Sequence, residues 1–204
     1  MSTQKPRCKI ATMRKFTWPF QREKVQLGGY IRLLCGYVIN AKPIDTSVLK
    51  RSFNHSERER LSADLATFRF VVLFLLFFDE VRKGTLAIST KELGRLTAHA
   101  MVLAYQDKGR SHSDATQEAQ RFFEVFEEYF AVLERHTEEE INEKGVFFFA
   151  CEHFASRAIA DLRDEAQRLR HFDVFDAAKQ VYRAVRKLFD AAYRKVSIEI
   201  EPAE

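Results

Sequence analysis

The densest group of chemically capable side chains in this sequence is Cys151, Glu152 and His153. A thiolate nucleophile needs a neighbouring base or a lowered pKa, and a metal ion needs three or four converging ligands. Neighbouring positions of a helix point about 100° apart, so these three side chains cannot meet at one point without help from elsewhere. The sequence therefore favours a structural role, in which Cys151 packs behind the phenylalanines at 147–149 while Glu152 and His153 face water.

The other histidines offer weaker sites. His99 lies in an apolar stretch and could bind a metal or a haem, although such a histidine more often donates to a backbone carbonyl. His136 and Glu140 are four residues apart and could form half of a metal site, but a surface histidine beside an acidic run explains the same residues. The sequence contains no phosphate loop, dinucleotide fingerprint, HExxH or CxxC motif. We therefore predict no cofactor and no catalytic residue, and we expect that the protein is not an enzyme.

Charge is distributed unevenly along the chain, although the formal net charge is only +4. Residues 1–51 contain eleven Lys or Arg and two acidic residues, whereas residues 113–143 contain ten acidic residues and two Arg. Separated fields of opposite sign usually serve contacts with another molecule or with the other end of the same fold. In the acidic helix predicted over residues 114–143, the carboxylates expected to make such contacts are Glu124, Glu127, Glu128 and Glu134.

Residues 1–20 are predicted to form a basic, aromatic arm in front of a single helical domain that spans residues 21–204. Lys and Arg side chains neutralise phosphates or carboxylates, and aromatic rings stack on bases or on apolar surfaces. No nucleic-acid fold signature accompanies the arm. Its partner could be nucleic acid, an anionic membrane surface, an acidic protein groove, or the acidic helix of this chain or of a second copy. The contact residues are predicted to be Arg14, Lys15, Phe16, Trp18, Phe20, Arg22 and Lys24.

The elements that must position these residues are predicted to be helices. With seven Gly and four Pro in 204 residues, the chain lacks the frequent turns of a β-sandwich or barrel. We predict an all-α fold, a single irregular bundle of six or seven helices around the apolar run Phe70–Phe78. This nine-residue run is shorter than the roughly 20 residues of a membrane-spanning helix, so we expect no membrane span. An odd number of cysteines and the absence of an apolar leader after Met1 favour a reducing cytoplasm.

Local patterns also predict where several elements begin. One helix is expected over residues 146–169, and the last helix is expected to begin at Asp173, because apolar residues recur three and four apart from Phe175 to Val196. Residues 196–201 alternate between apolar and polar, so a short terminal strand there could pair with Leu86–Ile88. Helix starts with a capping-box pattern are predicted at Ser56 with Glu59, Ser89 with Glu92, and Thr137 with Glu140.

Nineteen phenylalanines fall in clusters, which either fill the core or line a pocket for an apolar ligand. The sequence favours a non-enzymatic interaction or regulatory protein. It would dock on a protein partner, or self-associate, through the basic arm and the acidic helix. One alternative is a nucleic-acid-binding module that uses the arm. Another is a carrier of a small apolar ligand, or an enzyme, with a Phe-lined pocket in which His99 or His153 makes the polar contact.

Overall fold

The computed structural model describes residues 23–42, 49, 52–193 and 196–200, and these residues form a helical bundle with one short parallel pair of strands. The predicted all-α fold with a short terminal β pairing is confirmed. The elements are β1 (Glu23–Gln26), α1 (Leu27–Ile39), α2 (His55–Arg82), α3 (Thr90–Gln106), α4 (His112–Leu133), α5 (Glu138–Lys144), α6 (Val146–Ala158), α7 (Glu165–Tyr193) and β2 (Val196–Glu199).

Helix α2 is the central element of the bundle. Every residue from Phe70 to Phe77 is buried, and α2 packs against α1, α3, α4, α6 and α7. By length and composition alone α2 could cross a membrane, and 61% of its most apolar stretch is buried inside the protein. A helix that is apolar on all sides is equally typical of the buried centre of a bundle.

Phenylalanine rings join α2 to its neighbours. The ring of Phe74 lies 4.1 Å from that of Phe126 on α4, and the ring of Phe77 lies 5.1 Å from that of Phe189 on α7. These separations are close to those that aromatic pairs prefer, and each ring removes a large apolar area from water. The phenylalanines of α2 therefore fill the core between the helices.

Two of the three predicted helix starts are correct. The Ser89 hydroxyl accepts the backbone N–H of Glu92, and Thr137 and Glu140 form a capping box. The start predicted at Ser56 is wrong, because Asn54 and Glu57 form the capping box instead. Both pairs have the spacing that capping requires. Phe53 is buried directly before Asn54, and this anchored ring fixes the residue at which the chain enters the helix.

The boundary between the last two long helices also differs from the prediction. Helix α6 ends at Ala158 rather than near residue 169, because Ile159 has an extended backbone conformation. Helix α7 begins at Glu165, and the Asp164 carboxylate accepts the backbone N–H of Gln167 at 2.7 Å. Asp173, the predicted cap, lies inside α7 and accepts a hydrogen bond from the Ser52 hydroxyl.

The terminal strand pairs with a different segment from the one predicted. β2 is parallel to β1, with Val25 opposite Ile198, and Leu86–Ile88 is not a strand. The ring of Tyr193, at the end of α7, lies 6.4 Å from that of Tyr30 in α1. The end of α7 therefore lies beside α1. Because β1 directly precedes α1, β2 pairs with β1 when the chain continues from α7.

Candidate functional site

A surface groove of about 640 Å³ lies between α3 and α4. Its apolar part is formed by small or half-buried side chains, and its α4 rim carries two carboxylates. One cation, Arg95, lines the groove from α3. The structure thereby brings together three of the predicted residues, His99, Glu124 and Glu127. The side chains that shape the groove are His99, Val102, Ala119, Phe123, Glu124 and Glu127.

Helical spacing explains how α3 and α4 build this groove. On α4, Ala119 and Phe123 are four residues apart, and Glu124 and Glu127 are three apart, so each pair lies along one side of the helix. The ring of Phe123 is held by edge contacts with Phe74 and Phe122, at centroid distances of 6.3 and 5.0 Å. Phe123 therefore offers a fixed, half-buried aromatic surface at the floor of the groove.

The carboxylates of α4 fall into two electrostatic classes. Glu118 lies 3.6 Å from Arg121, and Glu128 lies 3.1 Å from Arg157 of α6. Glu124 and Glu127 are exposed, and neither forms an ion pair with any residue that the structure describes. Asp114, in the first turn of α4, has no described ion pair either, and of these three carboxylates Glu124 and Glu127 lie on the rim of the groove.

The other predicted carboxylates of the acidic helix lie outside the groove. Glu128 contacts α6, where its nearest partners are Arg157 and, at 4.0 Å, the Nε2 atom of His153. Glu134 is exposed and follows the last residue of α4. A ligand bound next to Phe123 and His99 would have to extend along α4 to contact either residue.

His153 and Cys151 do not form a reactive pair. The ring of His153 packs edge-on against Tyr129 at 4.8 Å, and its Nε2 atom is buried without a hydrogen-bond partner among the described residues. The expectation that His153 faces water is therefore wrong. Burial, followed by the charge of Arg157, lowers the pKa of His153. Burial raises the pKa of the Cys151 thiol to about 12, so this thiol stays protonated at neutral pH and is a poor nucleophile.

Among the residues that the structure describes, the histidines also lack the partners of a metal site. Within the described residues, no group of three or more His, Cys, Asp or Glu side chains could hold a metal ion. His136 and Glu140 do approach each other, with 3.5 Å between Nδ1 and Oε2. The His136 ring stacks on Phe149 at a centroid distance of 3.8 Å, so it packs against the α6 surface.

One arrangement of catalytic residue types was missed by the sequence analysis. The Oγ atom of Ser156 lies 3.4 Å from Nε2 of His171, and Oε1 of Glu152 lies 3.5 Å from the same nitrogen. In a catalytic triad the serine and the carboxylate contact opposite nitrogens of the histidine. The shared nitrogen makes this cluster a polar contact between α6 and α7. Sequence spacing could not reveal it, because the helix break at Ile159 brings the residues together.

A second groove, of about 730 Å³, lies between α1, α2, α3 and α4. Phe70, Met101 and Phe122 contribute its apolar surface. Two arginines and two glutamates line it, so its charges balance. The charged residues of this groove are Glu59, Arg69, Glu118 and Arg121.

The predicted arm residues lie almost entirely outside the described residues. These are Arg14, Lys15, Phe16, Trp18, Phe20 and Arg22. Lys24 is described, and it lies in β1 with 75% of its side chain exposed. Its ammonium group pairs with Glu199 of β2 at 2.6 Å, so Lys24 helps to join the two strands.

No family model, curated protein or solved structure matches the chain. The function has to be inferred from the chemistry of the groove. Unpaired carboxylates attract Lys and Arg and accept their hydrogen bonds, and the half-buried ring of Phe123 can pack against aromatic or aliphatic side chains. A segment that carries both basic and aromatic residues would satisfy both parts of the groove.

Proposed function

We propose that the protein is a non-enzymatic interaction protein whose α3–α4 groove binds a basic, aromatic segment of a protein partner. The observation that carries this proposal is the pair of unpaired carboxylates, Glu124 and Glu127, next to the apolar surface of Phe123. A half-buried apolar surface with exposed polar residues on its rim is an arrangement found at protein-recognition surfaces.

The two parts of the groove have different energetic roles. Exposed carboxylates steer a basic partner and select it, while adding little affinity. Burial of apolar area against Phe123 and Val102 supplies most of the binding free energy. For a short segment we expect weak binding, because ordering the segment costs free energy that the small apolar contact has to offset.

A labelled peptide tests this proposal directly. The probe is a fluorescein-labelled peptide with the sequence of residues 14–22, and binding is followed by fluorescence anisotropy. Because the chain carries the same segment, the titration uses a full-length, arm-neutralised variant with Arg14→Ala, Lys15→Ala, Phe16→Ala and Trp18→Ala. We expect saturable binding that weakens as salt is raised, since exposed charge pairs are screened.

Substitutions on α4 and α5 make the peptide test specific to the groove. In the arm-neutralised chain, the double substitution Glu124→Gln, Glu127→Gln should lower the affinity for the peptide by about fivefold. This factor corresponds to the loss of two exposed ion pairs. Glu139→Gln with Glu143→Gln changes the net charge equally on exposed residues of α5, and it should leave the affinity unchanged. If the peptide fails to bind, or if both pairs of substitutions act alike, the proposal is wrong.

The second groove favours a second candidate function, binding of a small apolar ligand. Its volume of about 730 Å³ lies within the range of small-molecule sites, and Phe70 and Phe122 give it an aromatic lining. The probe is the fluorescent dye 1-anilinonaphthalene-8-sulfonate, which carries an apolar aromatic ring system and one sulfonate group. Ala66→Phe, at an exposed residue that lines this groove, should abolish dye binding, whereas Ala191→Phe on α7 should not. Equal dye binding by the two variants would exclude this site.

A further inference from the structure

We infer that the protein forms a homodimer in which the N-terminal half of α7 pairs with the same segment of a second copy. The two helices run antiparallel about a two-fold axis at Phe172. This surface shares no residue with the α3–α4 groove, so the dimer does not depend on the proposed function. The evidence is an exposed apolar patch on α7 and the order of the charges around it.

An apolar patch lies exposed on the first turns of α7. Leu169 and Phe172 are 59% and 65% exposed, and they are three residues apart, so they lie on the same side of the helix. Phe175 lies three residues further on and is half-buried, and its ring contacts Phe148 of α6 at a centroid distance of 5.8 Å. Phe148 is itself exposed. An exposed apolar cluster with charged residues around it is typical of a contact with another molecule.

Four charged side chains flank this patch on the same side of α7. Glu165 and Arg168 precede Phe172, and Asp176 and Lys179 follow it. None of the four forms an ion pair with a residue that the structure describes. Arg168 donates to a backbone carbonyl, and Asp176 accepts a hydrogen bond from a side-chain amide. All four charges are therefore available to a second molecule.

The order of these charges is opposite on the two sides of Phe172. Arg168 and Asp176 each lie four residues from Phe172 and carry opposite charges. Glu165 and Lys179 each lie seven residues from it and also carry opposite charges. When two identical helices pair antiparallel about a two-fold axis, positions equally far before and after the axis face each other. With the axis at Phe172, each of the four charges therefore faces a charge of the opposite sign.

Other arrangements of the same two helices bring like charges together. In a parallel pair about a two-fold axis each residue faces its own copy, so Glu165 would face the partner's Glu165. Moving the antiparallel axis midway between Leu169 and Phe172 would place Glu165 opposite Asp176, and both are acidic. Like charges placed opposite each other disfavour a contact. The charge order therefore selects the antiparallel pair centred on Phe172, in which Leu169 also faces Phe175.

The size of this contact predicts a weak dimer. Burial of apolar area around Phe172 supplies the favourable free energy, and the exposed ion pairs determine the orientation of the two copies. One pair of helices covers less surface than the roughly 1,600 Å² that a typical stable complex buries. We therefore expect the dimer to dissociate on dilution.

Sedimentation velocity of the full chain tests this dimer. The mean sedimentation coefficient of the wild type should rise as its concentration is raised from about 5 to about 500 μM, because association follows mass action. Phe172→Glu places two like charges at the axis and should abolish the rise. Leu33→Glu is the matched control, because Leu33 is an exposed apolar residue of α1, and it should keep the rise. A wild type that stays monomeric, a dimer that survives Phe172→Glu, or loss of the dimer in both variants would overturn the inference.

An exchange of charges tests how the two helices are aligned. Glu165→Lys should lower the affinity of the dimer by about twentyfold, since two exposed ion pairs become two repulsive contacts. Lys179→Glu should have the same effect, whereas the double variant Glu165→Lys, Lys179→Glu should restore the wild-type affinity. The two residues lie about 21 Å apart along one helix, beyond the range of screened charges, so this recovery requires a second molecule. A double variant that dimerises no better than the single variants would refute the antiparallel pairing about Phe172.

Discussion

Removing the hydroxyl group of Tyr30 should stabilise the protein. Tyr30 is 1% exposed, and its ring packs between Phe77 and Tyr193 at centroid distances of 5.9 and 6.4 Å. Its hydroxyl makes no hydrogen bond to any described group, and burial raises the pKa of this phenol. A buried polar group without a partner costs about 1–3 kcal/mol of folding free energy. The substitution Tyr30→Phe removes that group and keeps the ring.

The size of the gain follows from two opposing contributions. Loss of one oxygen leaves a void of about 15 Å³, which costs about 0.4 kcal/mol. Removing the buried, unpaired hydroxyl gains more free energy than the void costs. We therefore expect the free energy of unfolding to rise by about 1 kcal/mol. For a chain of 204 residues, that corresponds to an increase in Tm of about 2–4 °C.

Urea unfolding followed by far-ultraviolet circular dichroism measures this change. The midpoint should move to higher urea with an unchanged slope. Tyr37→Phe is the matched control, because Tyr37 lies on the same helix but is 52% exposed, and its effect should stay within about 0.5 kcal/mol. Destabilisation of Tyr30→Phe by 1 kcal/mol or more would show that the hydroxyl is hydrogen-bonded in solution and would refute the reasoning.

Three further predictions concern helix ends and buried groups. Asn54→Ala should lower the free energy of unfolding by about 1 kcal/mol through loss of the α2 cap, whereas Ser56→Ala should leave it nearly unchanged. Thr97→Val should raise it by about 0.5–1 kcal/mol, because the buried Thr97 hydroxyl also has no described partner. The backbone N–H of Asn54 and then the side chain of Arg170 hold the pKa of Glu57 below its usual value. The stability that Glu57 contributes is therefore present above about pH 4.3 and is lost as the pH falls through its folded pKa, and Glu57→Gln should flatten this acid dependence.

Each of these outcomes is checked by the same urea titration. A larger loss for Ser56→Ala than for Asn54→Ala would place the cap at Ser56 after all. A destabilised Thr97→Val would mean that the hydroxyl is satisfied. An acid profile of Glu57→Gln that overlays wild type would show that the contacts of this carboxylate persist equally in the unfolded chain.

The sequence was sufficient to predict α2 as the central helix, because its apolar run leaves no side for water. It was not sufficient to choose between Asn54 and Ser56, since both precede a glutamate at the capping distance. The choice depends on Phe53, whose burial is a tertiary contact. The start of α7 was missed for a related reason. Leu169 and Phe172, in the first turns of that helix, are 59% and 65% exposed, so no apolar stripe marks where it begins.

The partner of the terminal strand was unpredictable from local pattern. Residues 196–199 show the alternation of a strand, but β1 directly precedes an apolar helix and carries too few residues to show a period of its own. Pairing is decided by where α7 ends, which depends on the packing of α7 against α2. A two-stranded pair of this kind has little stability by itself, so the helices that hold its ends determine its register.

The sequence was sufficient to predict several residues of the candidate groove, but not which helices bring them together. The acidic character of α4 and the position of Glu124 and Glu127 on it are visible in the sequence. The proximity of His99 is not visible, because it requires the packing of α3 against α4. Glu127 and Glu128 show that adjacent residues of α4 can face different surroundings. They are neighbours, but Glu128 meets Arg157 of α6 and Glu127 meets the groove, because adjacent helical positions point about 100° apart.

The different environments of the two sides of α4 are the strongest argument that the groove has a role beyond folding. On the side towards α6, the fold supplies Arg157 to Glu128. On the side towards α3, Arg95 is the available cation, yet it pairs with neither Glu124 nor Glu127. Glu124 also lies four residues before Glu128, a spacing at which like charges destabilise a helix. Glu124 and Glu127 make no described contact that offsets this repulsion, which is consistent with the proposed binding of a basic segment.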